Sequence, residues 1–253
     1  MTALNKTIVA TAAIGVLGIG GVAKAIPLNQ SHRATTYQVS QVSDRQTTRS
    51  EETPDSTSDR ESEVNDDKIP ISLKQVGEYG EATYDFAKAS NWTMATANLS
   101  SLQNAAKNLR KNTDSKLIIQ LDKRIATLSQ AVKMKNRPAA MHDANQVTLI
   151  AANITEEFQG KVPVEITLLD YYGRELEIWT SQGNTTKLKA TANDIQRTWK
   201  KVRPAIEARK GSAQAQKFDY LVKRVVAAKV DADYARLSTP ILNEVDNLEK
   251  VFQ

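Results

Sequence analysis

An all-α fold, a tandem duplication of an antiparallel four-helix unit, is the architecture this sequence predicts, and three observations lead there. From Ile69 onward apolar residues recur at three- and four-residue steps, with no strand-like alternation. Helix-starting and helix-stopping residues fall between successive apolar stripes. The region also reads as if written twice, at an interval of about 93–97 residues: Tyr79-Gly80 recurs as Tyr172-Gly173, Asn91 as Asn184, and Ala95-Thr96-Ala97-Asn98 as Ala190-Thr191-Ala192-Asn193. Leu121-Asp122 lines up with Phe218-Asp219, and Phe158 with Phe252.

The elements follow in order. Ser72 with Gln75 has the spacing of a capping box ahead of Leu73, Val76, Tyr79 and Phe86. Asn91 is placed to cap a second helix whose stripe is Trp92, Ala95, Leu99, Leu102, Ala106 and Leu109. Asp114 stands before a third, with Leu117, Leu121, Ile125, Leu128 and Val132. Pro138 suits the first turn of a fourth, which carries Met141, Ala144, Val147, Ala151, Ile154 and Phe158 and stops at Gly160. In the second copy Pro163 opens a helix with Ile166, Leu169, Tyr172, Leu176 and Trp179 that ends near Gly183. Leu188, Ile195, Trp199, Val202 and Ile206 mark the next. Ser212 is placed to cap one with Ala215, Phe218, Val222 and Val225, and the last runs from about Ala232 through Leu237, Ile241, Val245, Leu248 and Phe252. Pro204 and Pro240 fall inside helical patterns, and a kink or break is expected at each. The paired Tyr-Gly positions point to close helix approach, because glycine costs about 1 kcal/mol relative to alanine inside a helix. The two copies, 69–160 and 161–253, form either two bundles or one merged eight-helix bundle.

Residues 1–25 read as an export signal: Lys6, an apolar run from Ile8 to Val22 interrupted only by Thr11, then Ala23-Lys24-Ala25 as a cleavage pattern. The alternative is an uncleaved N-terminal membrane anchor, although about 15 apolar residues is short of the ~20 a spanning helix needs. Residues 26–68 form an acidic Ser/Thr-rich tether, whose composition cannot bury enough apolar surface to offset its ordering entropy. From residue 29 it holds nine acids against five bases, a balance of −4, while the whole chain is +5. With Lys6 and Lys24 set aside, the helical region carries +7. These features place the protein outside the cytoplasm, periplasmic or secreted.

The chain has no cysteine and two histidines, His32 and His142. Disulfide staples, thiolate metal sites and cysteine nucleophiles are excluded, so stability must come from an apolar core. The Glu-x-x-His motif of di-iron bundles is absent, as are the His-Glu-x-x-His motif and Gly-rich phosphate loops. No assembled catalytic set remains and no cofactor is expected, so the chain reads as non-catalytic. Met141 and His142, with Met134 nearby, are the weak candidates for a soft-metal site, with core packing the preferred reading of Met141. Asp170 and Arg174, spaced i,i+4 among Glu165, Glu175 and Glu177, read as surface charge pairs, with a carboxylate site as the sharper alternative.

Positive charge concentrates at Lys187, Lys189, Arg197, Lys200, Lys201, Arg203, Arg209 and Lys210, opposed only by Asp194 and Glu207. Arg197, Lys200, Lys201 and Arg203 are the candidate residues for binding an acidic envelope partner or an anionic membrane surface. Nucleic acid is not expected, since no aromatic–basic platform is present. The duplicated plan resembles imelysin-like exported proteins in outline; their Gly-x-His-x-x-Glu signature is missing, so the resemblance implies the fold alone. The sequence thus predicts an exported binding or interaction module, or alternatively a metal or small-ligand carrier with a pocket between the helices.

Overall fold

The computed structural model describes residues 68–158 and 160–253, which belong to one compact unit, Arg60–Gln253. The export signal at 1–25 and the tether up to residue 67 lie outside the described residues. Among those described there are eight α-helices and no strand: α1 (Ile71–Lys88), α2 (Trp92–Leu109), α3 (Ile118–Lys133), α4 (Arg137–Thr155), α5 (Val164–Ser181), α6 (Thr185–Ala208), α7 (Ser212–Ala227) and α8 (Asp231–Glu249). A short 3-10 turn, Lys250–Phe252, follows. The fold is all-α.

The helices pack in two rings. In the first α1 lies against α2 and α4, and α3 against α2 and α4; in the second α5 lies against α6 and α8, and α7 against α6 and α8. Each ring encloses an apolar cluster. Tyr84, Leu102, Leu109, Leu121, Leu128 and Ile154 fill the first; Leu169, Leu176, Trp199, Phe218, Tyr234 and Leu248 fill the second. The rings meet directly, with α4 packed on α5, and Trp179 touches both clusters.

Local chemistry sets the helix ends. The Asn91 side chain accepts a hydrogen bond from the Met94 N–H, and Asn184 does the same for Lys187. Asn136 caps α4, with Pro138 in its first turn. Three expected caps are not made. Pro70 precedes α1 with no side-chain cap, and Ser72 is instead buried in the helix. The third helix begins at Ile118, not beside Asp114, because Ser115 closes a local turn by accepting from the Leu117 N–H. Ser212 is the first residue of α7, behind an uncapped Gly211. The fourth helix ends at Thr155, short of Phe158. Neither internal proline breaks its helix: α6 runs through Pro204 and α8 through Pro240. Both rings are exposed, so water can serve the carbonyls that lose a partner.

Several repeated positions do alike work. A Cβ on Gly80 would lie 2.9 Å from Thr148 Cγ2 on α4, and one on Gly173 2.6 Å from Leu242 Cδ2 on α8. The missing side chain lets each helix seat against its neighbour. Asp122 pairs with Arg110, tying α3 to α2, and Asp219 pairs with Arg203, tying α7 to α6. The shared tetrapeptide is different. Measured from its helix start, Asn193 lies two residues later than Asn98, a rotation of about 200°. Asn98 turns to α1, bonding the Tyr79 carbonyl at 2.7 Å and Thr83 at 2.8 Å, whereas Asn193 is exposed.

Candidate functional site

The most unusual chemistry lies where α5 meets α1 and α4. Arg174 on α5 is only 8% exposed. Its Nε donates to Asp170 at 2.8 Å, its terminal nitrogens reach Glu81 at 3.4 Å and Asp85 at 3.7 Å, and its guanidinium lies 5.1 Å from the centre of the Tyr84 ring. Beside it Glu177 accepts from the Tyr84 hydroxyl at 2.8 Å and from Lys88 at 2.7 Å. Glu81–Arg174 and Tyr84–Glu177 are both 93 residues apart, so α1 and α5 run parallel and in register here.

The opposite side of α5 is held by α4. Asn145, fully buried, donates to the Tyr171 carbonyl at 3.2 Å and to Glu175 at 3.0 Å. The other Glu175 oxygen accepts from the Trp179 indole at 2.6 Å, and Gln146 donates to the Tyr171 hydroxyl at 2.8 Å. The apolar clusters are therefore joined through a polar seam. The reading of Asp170, Arg174 and Glu175 as surface groups is corrected: the i,i+4 bond forms, but α1 and α4 cover it.

Burial governs the protonation of this seam. Glu81 keeps about a third of its side chain exposed, yet dense packing around its carboxyl and the nearby Asp170 push it up to about 8, against the pull of Arg174. Burial also raises Glu175, despite hydrogen bonds from Asn145 and Trp179. The Tyr84 hydroxyl is driven far upward by burial and by Glu177, so it remains a donor. Asp143 moves the other way. Burial opposes its ionisation, but hydrogen bonds from His142, Arg124 and Thr127 together hold it below the usual range.

Two of the three soft-metal candidates, Met141 and His142, have other partners. Met141 is packed in the first apolar cluster and Met134 is 76% exposed. The His142 ring faces Asp143 at 3.3 Å and sits edge-on to Trp179 at 6.0 Å. Among the described residues no group of three or more His, Asp or Glu side chains is placed to hold a metal ion.

The basic candidates divide into two kinds. Arg203 makes a forked contact with Asp219, at 2.9 Å to one oxygen and 3.0 Å to the other, and lies 3.1 Å from Glu207. Arg197 is paired with Asp194. Lys200 and Lys201 project from the exposed face of α6 with no ion pair among the described residues. Sequence alone did not separate structural arginines from outward lysines, because the acid that holds Arg203 is on α7.

At the end of α6 the chain opens a cleft of about 260 Å³ bordered by Arg209, Lys210, Gln214, Asn247 and Lys250. A second, of about 320 Å³, lies between α3 and α4, with Lys123, Arg124, Gln146 and Asn153 on its walls. Among the described residues no helix is long and apolar enough to cross a membrane. No known family model, curated protein or solved structure matches this chain.

Proposed function

We propose that this protein is an exported, non-catalytic interaction module of the cell envelope that presents the outer face of α6 to an anionic partner. The observation that carries this reading is the division of the basic residues. Arg197 and Arg203 are neutralised by acids of the fold, while Lys200 and Lys201 stand outward with no ion pair among the described residues. A lysine is a compact, hydrated point charge suited to a diffuse anionic surface. Its attraction is screened over about 8 Å at physiological salt, so retention by such a surface weakens as ionic strength rises. The apolar run Ile8–Val22 with Ala23-Lys24-Ala25 supports export, and the common work of Gly80 with Gly173 and of Asn91 with Asn184 supports descent from a duplicated four-helix unit.

The test is charge reversal away from the structural arginines. The Lys200→Glu/Lys201→Glu double variant is expected to unfold at the wild-type temperature and to be lost from the envelope fraction. Arg203→Glu is unsuitable because it also breaks the contact with Asp219. Retention of the double variant at the wild-type level overturns the reading.

A further inference from the structure

We infer that the cleft at the α6–α7 turn is a binding site for a phosphate group, separate from the outer face of α6. Three cations border it, drawn from two stretches of chain: Arg209 and Lys210 from the turn, and Lys250 from the end of α8. Among the described residues no carboxylate lies on its lining, and Gln214 and Asn247 supply amides. Glu207, the acid next to the turn, is directed at Arg203.

The backbone of the turn, Arg209 and Lys250 are held in place before any ligand arrives. Lys210 adopts a left-handed conformation, φ 63°. The Lys210 N–H bonds the Glu207 carbonyl at 2.9 Å, and the Gly211 N–H bonds that of Ile206 at 2.9 Å. A Cβ at Gly211 would lie 2.7 Å from Ile206 Cγ2 and 3.1 Å from Val251 Cγ1, so the turn is seated on the end of the last helix. The Arg209 guanidinium lies 4.8 Å from the centre of the buried Phe252 ring. That leaves the planar N–H fork as the part that meets an anion.

Lys250 is positioned by a relay. Its ammonium donates to Asn247 Oδ1 at 3.3 Å, and Asn247 Nδ2 donates to Glu244 Oε2 at 3.1 Å. Glu244 is 8% exposed and its other oxygen has no hydrogen-bond partner among the described residues. Three cations with one buried carboxylate behind them leave a surplus of about two positive charges. That matches a phosphate monoester or inorganic phosphate, which carries about −1.5 to −2 at neutral pH, better than it matches a single carboxylate.

The full chain is titrated calorimetrically with inorganic phosphate, and floated with phosphatidylcholine vesicles that carry either phosphatidic acid, whose headgroup is a phosphate monoester, or phosphatidylserine at matched surface charge, to which the outer face of α6 would bind equally well. Saturable binding of free phosphate, or flotation only with phosphatidic acid, supports the site and distinguishes a soluble from a lipid source. Lys210→Gln and Lys250→Gln, at positions that do not pack in the core, are each expected to weaken that binding about tenfold, as loss of a charge-assisted hydrogen bond implies. Asn247→Leu is expected to weaken it less, through Lys250, with Lys250→Gln adding little in that background. Lys200→Glu/Lys201→Glu leaves calorimetric phosphate binding unchanged, so this site and the outer face of α6 fail independently. No binding up to about 10 mM phosphate together with no selective flotation overturns the inference, as does binding that survives both glutamine substitutions.

Discussion

Replacing Arg174 by methionine removes the one cation that Asp170, Glu81 and Asp85 share, while keeping much of the side-chain volume. Breaking a buried pair by deleting one partner typically costs about 3–5 kcal/mol, because the remaining charge stays desolvated. The exposures decide where in that range this site falls. Asp170 is 16% exposed and bonded directly, so it bears most of the penalty; Glu81 is 34% exposed, and Asp85, at 65%, can turn to water. The lower end, about 3 kcal/mol, is therefore expected. For a folded region of this size 1 kcal/mol moves the melting temperature by about 2–4 °C, which gives a drop of about 6–12 °C by calorimetry. Adding Asp170→Asn should recover much of the loss, since a neutral amide no longer needs the cation. A drop below about 2 °C for Arg174→Met, or no recovery in the double variant, would refute the view that this cluster is desolvated and mutually compensated.

The same cluster sets a pH dependence. In the folded protein Glu81 holds its proton to about 8, against 4.5 for a free glutamate, so the native state binds more protons between those values. Its contribution is fully present below about 4.5, is lost as pH rises towards about 8, and is constant above. Urea midpoints for Glu81→Gln should fall less steeply over that window than wild type, and an identical profile would be the contrary result. The two glycines of α1 give an internal comparison. Gly80→Ala pushes a methyl into Thr148 and Val147, whose β-branched side chains cannot rotate away, and should cost about 1–3 kcal/mol. Gly77→Ala meets nothing within 4 Å and should stabilise by about 0.5–1 kcal/mol in the same denaturation assay.

Legibility in the sequence tracked the range of the interaction. Asn91 and Asn184 could be read as caps because a cap bonds its own helix three residues on. The close approach at Gly80 and Gly173 could be anticipated because glycine mid-helix needs a reason. Asp114 failed as a cap because Ser115, one residue later, made the competing turn. The Ala-Thr-Ala-Asn match was misleading for a rotational reason, since two extra residues carry Asn193 to solvent while Asn98 faces α1.

The sequence by itself determined the all-α class and the eight helices, though not all of their ends, through period and punctuation that act over a few residues. Only the tertiary structure decided the status of the charges. Asp170 and Arg174 look like a surface pair until Glu81 and Asp85 arrive from α1, and Arg203 looks like a docking residue until Asp219 arrives from α7. A charge is structural or available according to what lies within about 4 Å of it. That neighbourhood is assembled from residues far apart in the chain, and packing alone brings them together.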